Sequence, residues 1–183
     1  LGVFSIAVPE HAGGAGGTFL DAAAALEAVT GALVPGPVLS TVLGGLLLAP
    51  HADMPAVKAL LPALASGTAS VAVALPPRDV HAEPVVGGGQ RLRGRSGPVL
   101  GLGSTTHLLL PAGSSWFLLD VGQPGVRVEP RTPVDFSRSV GDVEVDVVVG
   151  PENLVPIEPG DTVRDTLAAL FAVEAAAVAA WCL

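Results

Sequence analysis

Ser70-Val-Ala-Val-Ala-Leu-Pro-Pro77 is the stretch at which the chain changes character. Upstream of it, apolar residues recur at helical spacing. Downstream, short apolar runs alternate with Gly/Pro turns: Val99–Leu102, His107–Leu110, Trp116–Val121, Val126–Val128 and Val143–Val149. Side chains of a strand point alternately to its two faces, so period-two alternation marks a half-buried strand. It is clearest in Val143-Glu-Val-Asp-Val147. Ser70–Leu75 reads as the first strand of this set, and turn signals at roughly ten-residue spacing predict an antiparallel barrel or sandwich.

Upstream, Val3–Val8 reads as extended and ends at Pro9. The glycine loop Gly13-Gly-Ala-Gly-Gly17 precedes a helix, a place where free amides can bind phosphate. Its spacing argues for a tight turn instead: Phe19 stands where a dinucleotide loop needs its third glycine, and no Gly-Lys-Ser/Thr follows. Thr18 and Asp21 form a capping box for a helix with Phe19, Ala22, Ala23, Leu26 and Val29 on one face, stopped at Gly31. Pro35-Gly-Pro37 turns into a helix over Val38–Leu48. A third helix is predicted from an Asp53 cap to Ser66, with Gly67 as its stop. After the sheet, Pro159-Gly160 opens a last segment in which Thr162 and Asp165 repeat the capping box. Leu167, Leu170, Phe171, Val178 and Trp181 make its stripe. The predicted class is α+β: an N-terminal helical domain (1–67), a middle antiparallel β-barrel or sandwich domain (68–158), and the start of a C-terminal helical bundle (159–183). Opening on Leu1 and stopping inside a helix at Leu183 read as a piece of a longer chain, or as a processed or truncated one.

Bulk properties narrow the function classes. Half of the 183 residues are hydrophobic, 14% are charged and the net charge is −8, with Lys58 as the lone lysine. This balance argues against nucleic acid and anionic membrane partners, and the apolar content implies a surface covered by a partner or by further chain. The lone cysteine, Cys182, excludes an internal disulfide framework and a cysteine metal cluster. Reducing cytosol is the implied compartment. Val34–Ala49 and Leu167–Leu183 are the apolar runs to weigh as membrane spans; one is interrupted by Pro35 and Pro37, the other carries Glu174, and both read as buried helices. His11, His51, His81 and His107 lack ligand spacing, so no metal site is predicted. Ser104, Thr105 and Thr106 have His107 beside them but no acid nearby in sequence to complete a triad. Arg91, Arg93 and Arg95 alternate and share one face, which reads as solvation of an edge strand or as a phosphate-binding row.

Taken in order, several segments resemble the acyl-CoA dehydrogenase family. Val8-Pro-Glu-His-Ala-Gly-Gly-Ala-Gly-Gly17 is similar to the family's proline-to-double-glycine turn, and Leu33-Val-Pro-Gly-Pro37 to the turn before its next helix. Leu92-Arg-Gly94, Trp116-Phe-Leu-Leu-Asp120 and Gly125-Val-Arg-Val128 resemble the hairpin and paired strands of the middle β-domain. Val143–Val149 with Gly150-Pro-Glu-Asn-Leu154 resembles the strand and loop leading to the C-terminal helices. Val134-Asp-Phe-Ser-Arg138 resembles a segment common in actinobacterial branches, some of which work as heteromeric pairs on sterol side chains. The resemblance implies α,β-dehydrogenation of an acyl-CoA thioester, with a carboxylate taking the α proton and FAD accepting the β hydride.

The same resemblance exposes departures. In flavin-holding members the strand matching Ser70–Leu75 ends in Thr-Glu-Pro, whose amides and hydroxyl bind the isoalloxazine edge; here Pro76, Pro77 and Arg78 stand there. Proline has no amide hydrogen to donate. The family's Trp-Ile-Thr/Ser segment matches Pro98, Val99 and Leu100, which removes its aromatic and its hydroxyl. The flavin-contacting positions implied for this chain are therefore Leu75, Pro76, Val99 and Leu100, all degenerate. Where the base lies on the first C-terminal helix, the matching position is Leu167, which cannot take a proton, so no catalytic residue is assigned. Asp165 reads as a cap, and Glu174 reads as a contact to a neighbouring helix. The implied role is a subunit completed by a homologous partner subunit. The alternatives are an ordinary homo-oligomeric FAD-dependent dehydrogenase and a non-catalytic binding or scaffold module.

Overall fold

A computed structural model describes residues 2–75, 79–158 and 161–183. Helices α1 (Phe19–Gly31), α2 (Val38–Leu48) and α3 (Pro55–Ser66) are followed by strands β1 (Val71–Val73), β2 (Asp79–Pro84), β3 (Gln90–Leu100), β4 (His107–Ala112), β5 (Ser115–Asp120), β6 (Val126–Arg131), β7 (Val140–Val149) and β8 (Leu154–Val155). Helix α4 (Thr162–Trp181) comes last. The strands form two sheets, ordered β1-β4-β5-β8 and β2-β3-β7-β6. The α+β class and the order helices, sheet, helix are as the sequence predicts.

The first sheet is buried on both sides, which explains its unbroken apolar runs. Val71 and Val73, Leu109, Trp116 and Leu118 face the helices. Their neighbours Ala72, Leu108, Leu110, Phe117 and Leu119 face the second sheet. Each fully buried Leu or Phe in these layers contributes about 1.5–3 kcal/mol relative to exposure. The second sheet has one wet face, so β7 alternates: Val143 and Val145 are buried while Glu144 and Asp146 are exposed. Gly44 lets α2 lie directly on β1; a Cβ there would sit 2.7 Å from Val71 Cβ.

Several details differ from expectation. Strands β1 and β4 pair in parallel, Val71 against His107. The chain around Val3–Val8 begins as a 3₁₀ turn over Gly2–Ser5, and Val3, Phe4 and Ile6 pack against the helical core instead of pairing as a strand. Val99 and Leu100 are the end of the long strand β3, with Gly101 and Leu102 in the turn after it, and β2 and β8 are further strands. Strand β3 lies inside its sheet, so Arg91, Arg93 and Arg95 do not decorate an edge.

The capping box of α1 is present: Thr18 N–H donates to Asp21 Oδ2 at 2.7 Å, and Asp21 N–H to Thr18 Oγ1 at 3.4 Å. The Thr18 amide, and after it the Thr18 hydroxyl, which also donates to Asp21 Oδ2, hold the Asp21 carboxyl below its ordinary pKa. The second box is absent: Asp161 precedes α4 without a side-chain cap, and Thr162 is already helical. Helix α3 likewise begins at Pro55 behind Met54, not at an Asp53 cap. The predicted start of the last segment at Pro159-Gly160 falls outside the described residues. The glycine loop is a turn whose amides are committed to backbone: Gly14 N–H to Pro9 O, Gly16 N–H to Val8 O and Gly17 N–H to Ile6 O.

Candidate functional site

Where β1 ends, β3 ends and α4 crosses α2, the fold gathers residues far apart in sequence. Leu75 follows β1; Pro98 lies within, and Leu100 beyond, the register shift that interrupts β3 between Ser96 and Val99; Leu167 and Phe171 stand one turn apart on α4. With Leu39 and Leu43 of α2 they line a cavity of about 110 Å³. Leu75, Leu100 and Leu167 thus share one cavity. Val99 does not join them: it is 1% exposed in the core between the sheets. Pro76 lies outside the described residues, as do Pro77 and Arg78.

A flavin edge needs donors and room for a flat ring system. The described lining is almost wholly hydrocarbon. The hydroxyl in it, Ser40 Oγ, donates to Pro37 O at 3.0 Å. Nearby amides are committed too: Ala74 N–H to Leu109 O at 3.0 Å and Gly101 N–H to Ser139 O at 2.8 Å. Gly101, at φ +84°, brings its backbone against Ser40 Oγ, where a Cβ would clash. The described residues of this cavity do not fit an isoalloxazine.

A second cavity of about 350 Å³ shares Leu39, Ser40 and Leu100 with the first and extends between α1, α2, α4 and the segment before β7. Its walls are mainly apolar, but Arg138 and Glu174 meet in it, Nη1 to Oε2 at 2.7 Å. Arg138 Nε also lies 3.1 Å from Asp135 Oδ2. Glu174 raises the guanidinium's pKa further, while Ser137 and then Arg138 hold the Asp135 carboxyl below its usual range. The segment carrying Arg138 is tied to its surroundings: Gly36 N–H donates to Ser137 O at 2.9 Å, and the Ser104 and Ser139 hydroxyls meet at Gly101 O. Glu174 therefore contacts a β-domain loop, not the neighbouring helix expected. The α4 phase that creates this pair differs as well. Val163, Leu167, Leu170, Glu174 and Ala177 are buried, whereas Phe171, Val178 and Trp181 are exposed. Sequence reasoning missed the pairing of Arg138 with Glu174; the one signal was a carboxylate inside an otherwise apolar helix.

The remaining candidates resolve locally. Arg91 pairs bidentately with Asp146, and Arg95 bridges Glu129 and Asp142, where Arg131 joins them at 2.8 Å. His107 Nδ1 lies 2.9 Å from Thr106 Oγ1, and burial pushes its imidazole pKa down against the opposing pull of Asp120. Among the described residues there is no group of three or more His, Cys, Asp or Glu side chains able to hold a metal, and no helix long and apolar enough to cross a membrane.

This fold matches solved structures closely. A Tcur3481-Tcur3483 steroid ACAD variant superposes with a TM-score of 0.79 at 29% identity, covering 98% of this chain and 52% of that one. The ChsE4-ChsE5 complex from Mycobacterium tuberculosis does so at 0.70 and 27%, covering 98% and 50%. No protein-family model matches the chain. The architecture is that of the N-terminal and middle portions of acyl-CoA dehydrogenases, followed by one helix. Acyl-CoA dehydrogenase FadE34 of Mycobacterium tuberculosis (strain ATCC 25618 / H37Rv) is 36% identical over all 183 residues. The chain belongs to the acyl-CoA dehydrogenase family. It spans 24% of that curated relative and about half of the two solved structures.

Proposed function

We propose that this chain serves a FAD-dependent acyl-CoA dehydrogenase of the cytoplasm as the subunit whose own flavin surface has degenerated. The reaction is the α,β-dehydrogenation of an acyl-CoA thioester with a fatty or sterol side chain, and a homologous subunit supplies the flavin contacts. The division at 67/68 and 158/159 belongs to this reading, with Leu75, Pro76, Val99 and Leu100 as vestiges of the flavin-contacting positions. The observation that carries it is the aliphatic cavity of about 110 Å³ at Leu75, Pro98, Leu100 and Leu167. Leucine at the base position adds support, because a hydrocarbon cannot accept the α proton. The names of two solved relatives, Tcur3481-Tcur3483 and the ChsE4-ChsE5 complex, each join two proteins, which favours a heteromeric assembly.

The visible spectrum tests this. The protein is purified alone and again with a co-expressed homologous subunit. A colourless solo protein that turns yellow and active only in the complex is the expected result. Flavin bands in the solo preparation overturn it in favour of an ordinary homo-oligomeric dehydrogenase. A colourless complex without turnover overturns it in favour of a scaffold or binding module.

A further inference from the structure

We infer that the larger cavity selects a ligand with an apolar body ending in a neutral oxygen acceptor, and that Arg138 is its specificity-determining residue. The identification of that ligand as the acyl portion of the substrate rests on the function proposed above; the binding preference itself rests on the cavity.

The body of the cavity is hydrocarbon, with Val29, Val38, Leu39, Leu100 and Val178 among its walls, and its volume of about 350 Å³ suits a bicyclic or medium-chain group. One strong donor, Arg138, is among its lining residues. Arg138 is 25% exposed on its side chain and carries five N–H groups in a fixed fork. Nη1 donates to Glu174 and Nε lies beside Asp135, while among the described residues Nη2 has no hydrogen-bond partner. A ligand oxygen reaching Nη2 gains a charge-assisted bond.

Charge decides which oxygen. Arg138 is one cation already faced by two carboxylates, Glu174 on α4 and Asp135 on its own segment. A third anion meets net negative surroundings, Glu174 being 11% and Asp135 57% exposed on their side chains, and is disfavoured. A ketone or hydroxyl brings no charge and keeps the hydrogen bond. A pure hydrocarbon fills the walls but leaves Nη2 without an acceptor, and a site that offers a donor discriminates against ligands lacking the complementary group.

The test uses three probes of one shape: 2-decalone, decalin and decalin-2-carboxylate. Binding to the full chain is followed by methyl NMR shifts and by equilibrium dialysis. Decalone should bind at least about tenfold more tightly than either of the others, the ratio expected for one hydrogen bond to a charged donor. Arg138→Lys keeps the positive charge beside Glu174 but replaces the fork with a single ammonium. It should reduce decalone affinity about fivefold or more while leaving decalin unchanged. Val178→Trp fills the cavity and should abolish binding of all three; Thr30→Phe, on another wall, serves the same purpose if the first variant does not fold. Equal affinities for decalone and decalin, tightest binding of the carboxylate, no binding of any probe, or binding that survives cavity filling overturns the inference. A yellow solo protein would refute the flavin-deficient reading without touching this preference, and loss of the preference would leave that reading standing.

Discussion

Helix α4 is attached to the β-domain by an ion pair with little solvent around it, and a double-mutant cycle measures what that attachment is worth. Arg138 and Glu174 are 25% and 11% exposed, with Nη1 and Oε2 at 2.7 Å. Removing one partner of a fully buried pair costs about 3–5 kcal/mol, because the other charge is left without compensation. Partial exposure lowers this, so Arg138→Met should destabilise the chain by about 2–3 kcal/mol. Glu174→Gln should cost less, about 1–2 kcal/mol, since the amide still accepts a hydrogen bond and Asp135 still faces the guanidinium. In the double variant neither an unpaired Arg nor an unpaired Glu remains, so its loss should fall short of the sum by about 1–2 kcal/mol. Urea unfolding at pH 7, followed by Trp fluorescence, reads these values. Trp116 is buried against the helices and dominates the change, whereas Trp181 is exposed in the native state. Additivity within about 0.5 kcal/mol, or a loss below about 0.5 kcal/mol for Arg138→Met, would refute the ion pair as an attachment.

Two further outcomes follow from the packing and the titrating groups. Gly44→Ala, whose Cβ would stand 2.7 Å from Val71 Cβ, should lose about 1–3 kcal/mol by overpacking, whereas Gly45→Ala, with nothing within 4 Å, should gain about 0.5–1 kcal/mol in helix propensity; a reversed order in urea unfolding would refute the close α2–β1 approach. Acid should weaken the fold in two separate limbs. The His107 pKa is lowered by burial, so its contribution is present above about pH 6.5 and is lost as pH falls through the folded-state value. Asp142 is lowered chiefly by its hydrogen bond from Arg131, with Arg95 adding to it, so its contribution is present above the ordinary carboxylate range and is lost below it. His107→Asn should flatten the upper limb and Asp142→Asn the lower one in stability measured against pH; unchanged limbs would contradict the assignments.

The strands that the sequence reveals best are those buried on both faces or cleanly on one. Leu108-Leu-Leu110 and Trp116-Phe-Leu-Leu119 are continuous because helices cover one side and the second sheet the other. Strand β2 is hard to see because Val80 is its one fully buried residue and polar neighbours surround it. The parallel pairing of β1 with β4 carries no local signal at all. Register between distant strands is set by tertiary packing, not by either segment alone. The run Val3–Val8 misleads for a related reason. A short apolar run suits either a strand or a buried turn, and here the helical core takes Val3, Phe4 and Ile6 as a turn.

The candidate site divides along the same line. Neither composition nor spacing joins Leu75 to Leu167 across 92 residues; resemblance to a family joins them, and the fold then brings both to one cavity wall. The pair that resemblance did not supply, Arg138 with Glu174, was hidden by the phase of α4. Placing Phe171, Val178 and Trp181 on the buried stripe turns Glu174 into a neighbour of another helix. The observed phase, through Val163, Leu167 and Leu170, aims it at the segment before β7. A carboxylate inside an apolar stripe is costly to bury alone, so its presence there calls for a cation from elsewhere in the chain. Only nine Lys and Arg residues occur in the whole sequence, and Arg91, Arg95 and Arg131 already answer the carboxylates of the second sheet. That scarcity makes Arg138 informative: a cation drawn into the helical face of the fold, in a chain with so few, marks where charge is needed beside an otherwise hydrocarbon cavity.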